Sequence, residues 1–168
     1  AAVAYWAAAA WAMWRMGSSV VLLSRAEPAG PTRWPRLSII VPGCNEGDKM
    51  EAAARTLLAQ DYPDLQIVLV DDRSSDETGA IVDRLAGEDA RVAAIHVAEL
   101  PAGWLGKVHA MSRGLAIADG ELVLLTDADV HYRPGMLRKA AAYFEARGLD
   151  HLAALPGLWP SSAILDGL

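Results

Sequence analysis

Cysteine is almost absent from this sequence: Cys44 is the only one in 168 residues, so no internal disulfide can form. The lack of a disulfide framework favours a reducing compartment. Basic residues are also few, with 15 Lys and Arg against 21 Asp and Glu and a formal net charge of −6. Because they form no cluster, the sequence argues against a nucleic-acid partner. The four histidines lack the spacing of a zinc site: His96, His109, His131 and His151.

Two glycine-rich phosphate-binding motifs are missing as well. No Gly-x-Gly-x-x-Gly follows the first predicted strand, which removes the main support for dinucleotide binding. The segment ending in Gly106-Lys107 is not a P-loop, because Pro101 stands where the first Gly is required and Val108 where Ser or Thr is required. ATP hydrolysis therefore loses its support too.

Charge is nearly absent from the first 23 residues, where Arg15 is the only charged side chain. Trp6, Trp11 and Trp14 add amphipathic rings of the kind that settle at membrane interfaces. We therefore predict a transmembrane helix over residues 1–24. The alternatives are a helix packed on the domain and a cleaved signal peptide, although a signal peptide needs a basic start that is lacking here.

A proline-rich segment follows, and we predict a linker over residues 25–36. Arg25, Arg33 and Arg36 lie close after the apolar stretch. The positive-inside rule then places the downstream domain on the cytoplasmic side of the inner membrane. The chain has no initiator Met, so we expect residues upstream of Ala1.

From residue 37 onward, short apolar runs alternate with amphipathic helical patterns, in a chain that is 53% hydrophobic. The runs are rich in Val, Ile and Leu and apolar on both faces, as strands covered by helices should be. This alternation predicts a mainly parallel α/β sheet in three layers. The predicted strands are Leu37–Val41, Gln66–Val70, Val92–His96 and Leu122–Leu125, and the predicted helices are Lys49–Ala59, Glu77–Ala86, Lys107–Ala118 and Met136–Arg147.

Local signals support these helix boundaries. Ser74-Ser75-Asp76-Glu77 has the pattern of a capping box before the second helix, and Gly120 and Gly148 stand where helices are expected to stop.

Two acidic pairs end apolar strands. Asp127 and Asp129 follow the fourth strand at i and i+2, so both carboxylates point the same way and can converge on one hard divalent cation. Asp71 and Asp72 end the second strand. Ligands of open parallel sheets bind outside the carboxyl ends of the strands, where all these acids fall. The alternative is loop chemistry, because Asp, Asn, Ser and Gly favour turns for backbone reasons.

These segments together resemble family 2 glycosyltransferases with the GT-A fold, a Rossmann-like nucleotide-diphospho-sugar transferase fold. The resemblance covers about residues 37 to 150 and follows the family's order. Within the family, Pro101–Lys107 looks most like the membrane-associated branch linked to hopanoid and carotenoid-type lipid metabolism. The segments that carry the family resemblance are Ile39–Glu46, Val68–Asp76, Gly106-Lys107, Ala118–Glu121 and Thr126–Asp129.

The resemblance implies a role for each site residue. Asp72 would accept a hydrogen bond from a uridine-type base, with Pro42 and Asn45 shaping that pocket. Asp127 and Asp129 would form the Asp-x-Asp motif, with Asp129 a direct ligand of Mn²⁺ or Mg²⁺ and Asp127 near the ribose or the metal. Glu46 and Asp71 belong to the same substrate-binding motifs, and Lys107 would bind a phosphate at a helix start. The alternatives are a turn cap for Asp71 and Asp72 and an ordinary surface lysine for Lys107.

The reaction implied is inverting, metal-dependent transfer of a hexosyl-type sugar from a nucleoside-diphosphate donor to a lipid or polyprenoid acceptor. The general base is expected beyond Leu168, so residues 37–168 would be the donor-binding part of a longer domain, and the chain a fragment. Two other functions stay open. One is a non-catalytic nucleotide-sugar-binding module, and the other is a phosphohydrolase with Asp127 as nucleophile and Asp129 as acid–base. His109 and His131 are assigned to packing or loop hydrogen bonds.

Overall fold

The strands and helices alternate along the chain in a computed structural model that describes residues 2–19 and 21–155. Residues 156–168, which the sequence places in the donor-binding part, lie outside the described residues. The strands are β1 (Leu37–Gly43), β2 (Leu65–Asp72), β3 (Val92–Val97) and β4 (Leu122–Leu125). The helices are α1 (Ala2–Ser19), α2 (Gly47–Leu58), α3 (Thr78–Glu88), α4 (Gly106–Leu115) and α5 (Met136–Arg147), with a 3₁₀ turn at Leu23–Arg25.

The four strands form one sheet in the order β3-β2-β1-β4, and every pairing is parallel. The central strand β1 pairs along its whole length with β2, and its residues 37–40 pair with all of β4. This register brings the carboxyl ends of β1, β2 and β4 to one edge. The predicted parallel α/β fold is confirmed, and each predicted strand lies within two residues of the observed one.

Alternation along the strands sorts the core into two layers. Ile39 and Val41 point to a larger cluster that includes residues of α2, α3 and α5. Ile40, Val68 and Val70 point to the opposite face, where Ala110 of α4 covers them. All five strand residues are buried because both faces of the sheet are covered, as a parallel sheet requires.

Two local boundary predictions were wrong. The helix expected to start with a capping box begins instead at Thr78, whose backbone N–H donates to the Asp76 carboxylate at 3.0 Å. Gly120 does not end a helix, because α4 stops at Leu115. A Cβ at Gly120 would lie 2.5 Å from the Ser38 backbone nitrogen, so this glycine permits close approach to β1. Gly148 does end α5 in the left-handed conformation, as predicted.

Helix α1 covers most of residues 1–24, the segment for which the sequence predicts a transmembrane helix. Helix α1 has 18 residues, about 27 Å at 1.5 Å per residue, and much of its surface is alanine. Among residues 2–19 and 21–155, no helix is both long enough and apolar enough to cross a membrane. The predicted transmembrane helix is therefore not supported.

The predicted linker, residues 25–36, contacts the sheet domain. Arg36 is paired with Asp64 and Asp119, each at 2.7 Å, and Arg33 is paired with Glu121. These ion pairs lie at the amino ends of the strands, away from the acidic clusters.

Two helical glycines give a test of the core packing. A Cβ at Gly114 of α4 would lie 2.4 Å from Ile40 Cγ2, whereas a Cβ at Gly87 of α3 would meet nothing within 4 Å. We expect Gly114→Ala to lower the free energy of unfolding by about 1–3 kcal/mol, the usual cost of overpacking. Gly87→Ala is the matched control and should be neutral or stabilising by up to about 1 kcal/mol. Urea denaturation of both variants measures this, and equal stabilities would contradict the packing.

Candidate functional site

An open cleft of about 260 Å³ lies at the carboxyl edge of the sheet. Three strand ends and the first turn of α4 supply its walls, as expected for ligand sites in parallel sheets. The lining residues are Pro42, Gly43, Cys44, Glu46, Asp72, Lys107, Asp127, Ala128 and Asp129. Six of the eight residues proposed from the sequence are therefore together in one cleft, and Asn45 and Asp71 are not part of its lining.

Asp71 and Asp72 lie on opposite faces of the sheet, because neighbouring strand residues point in opposite directions. Asp72 is buried and lines the cleft on the α4 side. Asp71 points to the α3 side, where its Oδ2 would lie 2.9 Å from a Cβ at Gly79. Its Oδ1 accepts the Ser74 backbone N–H at 3.2 Å. Asp71 thus caps the turn after β2, which the sequence left open as the alternative for both acids.

Arg73 binds the Asp72 carboxylate with two hydrogen bonds, from Nε at 2.8 Å and from Nη2 at 3.0 Å. Its backbone has φ 58°, a left-handed conformation that non-glycine residues rarely adopt. The hydrogen bonds to Asp72 raise the pKa of Arg73, so the guanidinium stays charged beside the cleft. A Cβ at Gly106 would lie 2.7 Å from Arg73 Nη2, so the helix start leaves room for this cation.

Lys107 lies across the cleft and pairs with Asp127, with 2.5 Å between Nζ and Oδ1. Both side chains are about half exposed, so the ion pair itself adds little stability. The position of Lys107 matters more than the strength of this ion pair. The ammonium lies in the second residue of α4, where free backbone N–H groups and the helix dipole also favour an anion.

Glu46 extends the acidic side of the cleft. Its Oε2 is buried and lies 3.0 Å from Lys49 Nζ, with which it forms an ion pair. The hydrogen bond and charge of Glu46 raise the pKa of Lys49, and Asp129 adds to this shift. The cleft therefore holds four carboxylates, of which Glu46, Asp72 and Asp127 are paired with Lys49, Arg73 and Lys107, respectively.

The donor set fits a divalent ion that is shared with a substrate. Asp127 and Asp129 supply hard carboxylate oxygens on one loop. In residues 2–19 and 21–155, no group of three or more metal-binding side chains is gathered. Magnesium-type ions are commonly held by one or two carboxylates together with substrate phosphates and water. The two aspartates can hold Mn²⁺ or Mg²⁺ in that manner.

Asn45 lies behind the cleft and joins the loops after β1 and β2. Its backbone N–H donates to Ser74 Oγ at 2.9 Å, and its Oδ1 accepts the Ser75 backbone N–H at 2.8 Å. Asn45 has φ 56°, a conformation that Asn tolerates better than most residues. The structure thus gives Asn45 a loop-connecting position and leaves Pro42 in the cleft wall.

His109 packs against Trp104, with ring centroids 5.4 Å apart in an edge-to-face arrangement. The sequence assigned His109 to packing, and this contact agrees with that interpretation. Trp104 itself is partly exposed in the loop before α4.

Most of the chain matches a known protein family. Residues 38–156 match the family described as "Glycosyl transferase family 2". The chain belongs to glycosyltransferase family 2. The parallel sheet of this chain is a GT-A-like fold. The assignment of Asp127 and Asp129 to the Asp-x-Asp motif of the family stays a prediction.

Relatives of this glycosyltransferase chain differ in what their names say they act on. A Campylobacter jejuni protein, GalNAc(5)-diNAcBac-PP-undecaprenol beta-1,3-glucosyltransferase, is 35% identical over 103 residues, covering 61% of this chain and 32% of the relative. Beta-monoglucosyldiacylglycerol synthase of Synechocystis sp. is 27% identical over 156 residues, covering 83% and 32%.

Solved structures agree with this fold. The mannosyltransferase PcManGT from Pyrobaculum calidifontis, in complex with GDP-Man and Mn²⁺, has a TM-score of 0.69 at 30% identity. That alignment covers 85% of this chain and 41% of the mannosyltransferase. S. aureus TarS in complex with UDP-GlcNAc has a TM-score of 0.56 at 30% identity, covering 66% of this chain and 31% of TarS.

The family 2 chain spans only about a third of the length of these curated relatives. The comparisons give no support to the phosphohydrolase alternative, in which Asp127 would be a nucleophile.

Two residues near the site were missed by the sequence analysis. Arg73 lies within the segment Val68–Asp76 and was given no role, although a charged residue beside the paired acids was a signal for an ion pair. His96 contacts Asp71 from the neighbouring strand, and nothing in its spacing indicated this.

Replacing Lys107 tests its place in the cleft. We expect Lys107→Met to weaken binding of UDP by about 10- to 100-fold, the loss of a charge-assisted hydrogen bond to phosphate. Mn²⁺ alone should bind this variant up to about fivefold more tightly, because Asp127 loses a competing cation. Calorimetry measures both, with Lys139→Met, which lies outside this cleft, as the control. Unchanged UDP binding would favour an ordinary surface lysine.

Proposed function

We propose that this chain is the donor-binding part of a metal-dependent, inverting glycosyltransferase that uses a nucleoside-diphosphate sugar, with uridine as the nucleoside. The observation that carries the proposal is the convergence of Asp72, Lys107, Asp127 and Asp129 in one cleft at the ends of three elements. A nucleoside diphosphate offers a base, a ribose and two phosphates, and this cleft offers partners for each.

The base partner is Asp72. Uracil carries a ring N–H between two carbonyl groups, so a buried carboxylate can accept that N–H while the neighbouring guanidinium of Arg73 donates to a carbonyl. Both groups are already held in one plane by their two mutual hydrogen bonds. Cytosine has a bare ring nitrogen at the corresponding position, so the carboxylate would repel it. The cleft chemistry therefore supports UDP over CDP.

The diphosphate partners are Lys107 and the two aspartates at the end of β4. When bound, a divalent ion would neutralise charge on the leaving diphosphate, the Lewis-acid role of such ions. Asp127 and Asp129 would hold it, because both line the cleft from the turn that follows β4. Lys107, at the start of α4, can exchange its contact with Asp127 for one with phosphate.

The acceptor in this proposal is a lipid or polyprenoid. The support comes from two relatives whose names include undecaprenol and diacylglycerol. We place the full-length protein at the cytoplasmic face of the inner membrane, where such acceptors are accessible. Helix α1 suits contact with a lipid surface, because Trp6, Trp11 and Trp14 are all exposed on it. The hopanoid-associated branch remains a prediction from Pro101–Lys107.

The residues described here bind and orient the donor. Transfer with inversion also needs a base that takes the proton of the acceptor hydroxyl, a contribution of about 10²- to 10⁴-fold. We propose that this base lies beyond Leu168, and we assign the role to none of the acids in residues 21–155.

Calorimetric titration with UDP tests this function. We expect UDP to bind in the presence of Mn²⁺, and Asp129→Asn to weaken that binding at least about tenfold, because one charged ligand is lost. In chelator, wild type and Asp129→Asn should bind UDP with the same low affinity. CDP should bind more weakly than UDP to the wild type.

The matched control is Asp150→Asn, which removes an exposed carboxylate outside the cleft and should bind UDP like wild type. Equal loss of affinity for Asp129→Asn with and without Mn²⁺ would count against metal coordination. No binding of any nucleoside diphosphate by the folded chain would contradict the proposed function.

A further inference from the structure

His96 is held at both ring nitrogens by carboxylates. Its Nδ1 lies 3.1 Å from Asp71 Oδ2, and its Nε2 lies 2.8 Å from Asp83 Oδ1. Asp71 belongs to β2, His96 to β3 and Asp83 to α3, so the contacts tie three elements together. We call these residues the histidine bridge. Only an imidazolium, protonated on both nitrogens, can donate to both carboxylates at once.

One end of the histidine bridge leads to the donor cleft. The second oxygen of Asp71 accepts the Ser74 backbone N–H, and Ser74 Oγ accepts the Asn45 backbone N–H. A continuous chain of hydrogen bonds therefore runs from the surface of α3 to the loop after β1. Pro42 and Glu46 flank that loop in the cleft, and Asp72 is the residue next to Asp71.

Two charged groups contact His96 on its side of the sheet. Asp71 faces it from β2 and Asp83 from α3. Helix α4 packs on the opposite face of the sheet, against Ile95 and Val97. The hydrogen bond from Asp83, then that from Asp71, raises the pKa of His96 above its ordinary 6.5. About 46% of the side chain is exposed, so the ring exchanges protons with solvent.

We propose that His96 is a positioning residue of the donor site: its protonated ring holds Asp71, and through Asp71 the two loops that bind the nucleoside diphosphate. The inference rests on the proposed function. Deprotonation removes the charge and one of the two donated hydrogen bonds, so the ring is anchored at one end only. The pKa of His96 is raised in the folded protein. The histidine bridge is therefore intact below the ordinary pKa of histidine and is lost as the pH rises through the raised pKa of His96.

UDP titrations in Mn²⁺ from about pH 6 to pH 9 test this, because the window spans the ordinary and raised titration of His. The key variant is His96→Asn, whose amide keeps a donor toward Asp71 but cannot titrate. The ratio of the dissociation constants of His96→Asn and wild type should be near one at high pH and rise by roughly 2- to 10-fold at low pH, the range of one net hydrogen bond. Titration of UDP itself is common to both proteins and cancels in the ratio.

His151→Asn is the control, because His151 is exposed and lies outside both the cleft and the histidine bridge. This variant should follow wild type at every pH. A constant ratio between His96→Asn and wild type across the range would overturn the proposal.

Asp83→Asn gives a second variant that touches neither Asp71 nor the cleft. It should move the titration of His96 to lower pH, and the loss of UDP affinity should move with it. In NMR spectra without nucleotide, the Ser74 amide signal should titrate together with the His96 ring. If the Ser74 signal does not change as His96 titrates, the histidine bridge is overturned. If the two signals titrate together but the protein binds no UDP at any pH, the proposed function is overturned instead.

Discussion

The alternation of side chains at the ends of parallel strands is the constraint on which this site depends. Neighbouring strand residues point to opposite faces, so Asp72 enters the cleft while Asp71 turns to the far side of the sheet. Asp127 and Asp129 reach the cleft in another way, from the turn that follows β4. A register slip of β2 by one residue would exchange the roles of Asp71 and Asp72. The buried apolar residues of β1 and β2 fix the register, so the core determines which carboxylates reach the donor.

Charge balance is the second feature that shapes the site. Four carboxylates line a small cleft, and each cation near them is already engaged: Arg73 with Asp72, Lys107 with Asp127 and Lys49 with Glu46. These pairs offset part of the negative charge of the cleft. A metal-bound diphosphate would bring both positive and negative charge, so it can replace the pairing of Lys107 with Asp127 at little electrostatic cost.

Much of the fold follows from the sequence because the signals are local. The run Leu37–Val41 is apolar on both faces, which predicted a buried parallel strand. Leu122–Leu125 was predicted in the same way and is a parallel strand, but Val123 and Leu125 are exposed. The spacing of Asp127 and Asp129 predicted that they lie together, and both line the cleft. The failures have different causes. The contact of His96 joins residues 25 positions apart through strand pairing. Arg73 has a left-handed backbone, which non-glycine residues rarely adopt. Helix α1 has the aromatic residues of a membrane helix but is not long and apolar enough to cross a membrane.

The location of the metal relative to the strand ends tests the central claim most directly. We would record amide NMR spectra of the chain with UDP and Mg²⁺, then replace Mg²⁺ by paramagnetic Mn²⁺. The account predicts that signals of Cys44, Asp72 and Ala128, at the carboxyl ends of the strands, disappear, and that those of Leu37 and Leu65 at the amino ends remain. Loss of the amino-end signals instead, or no site-specific loss, would contradict it.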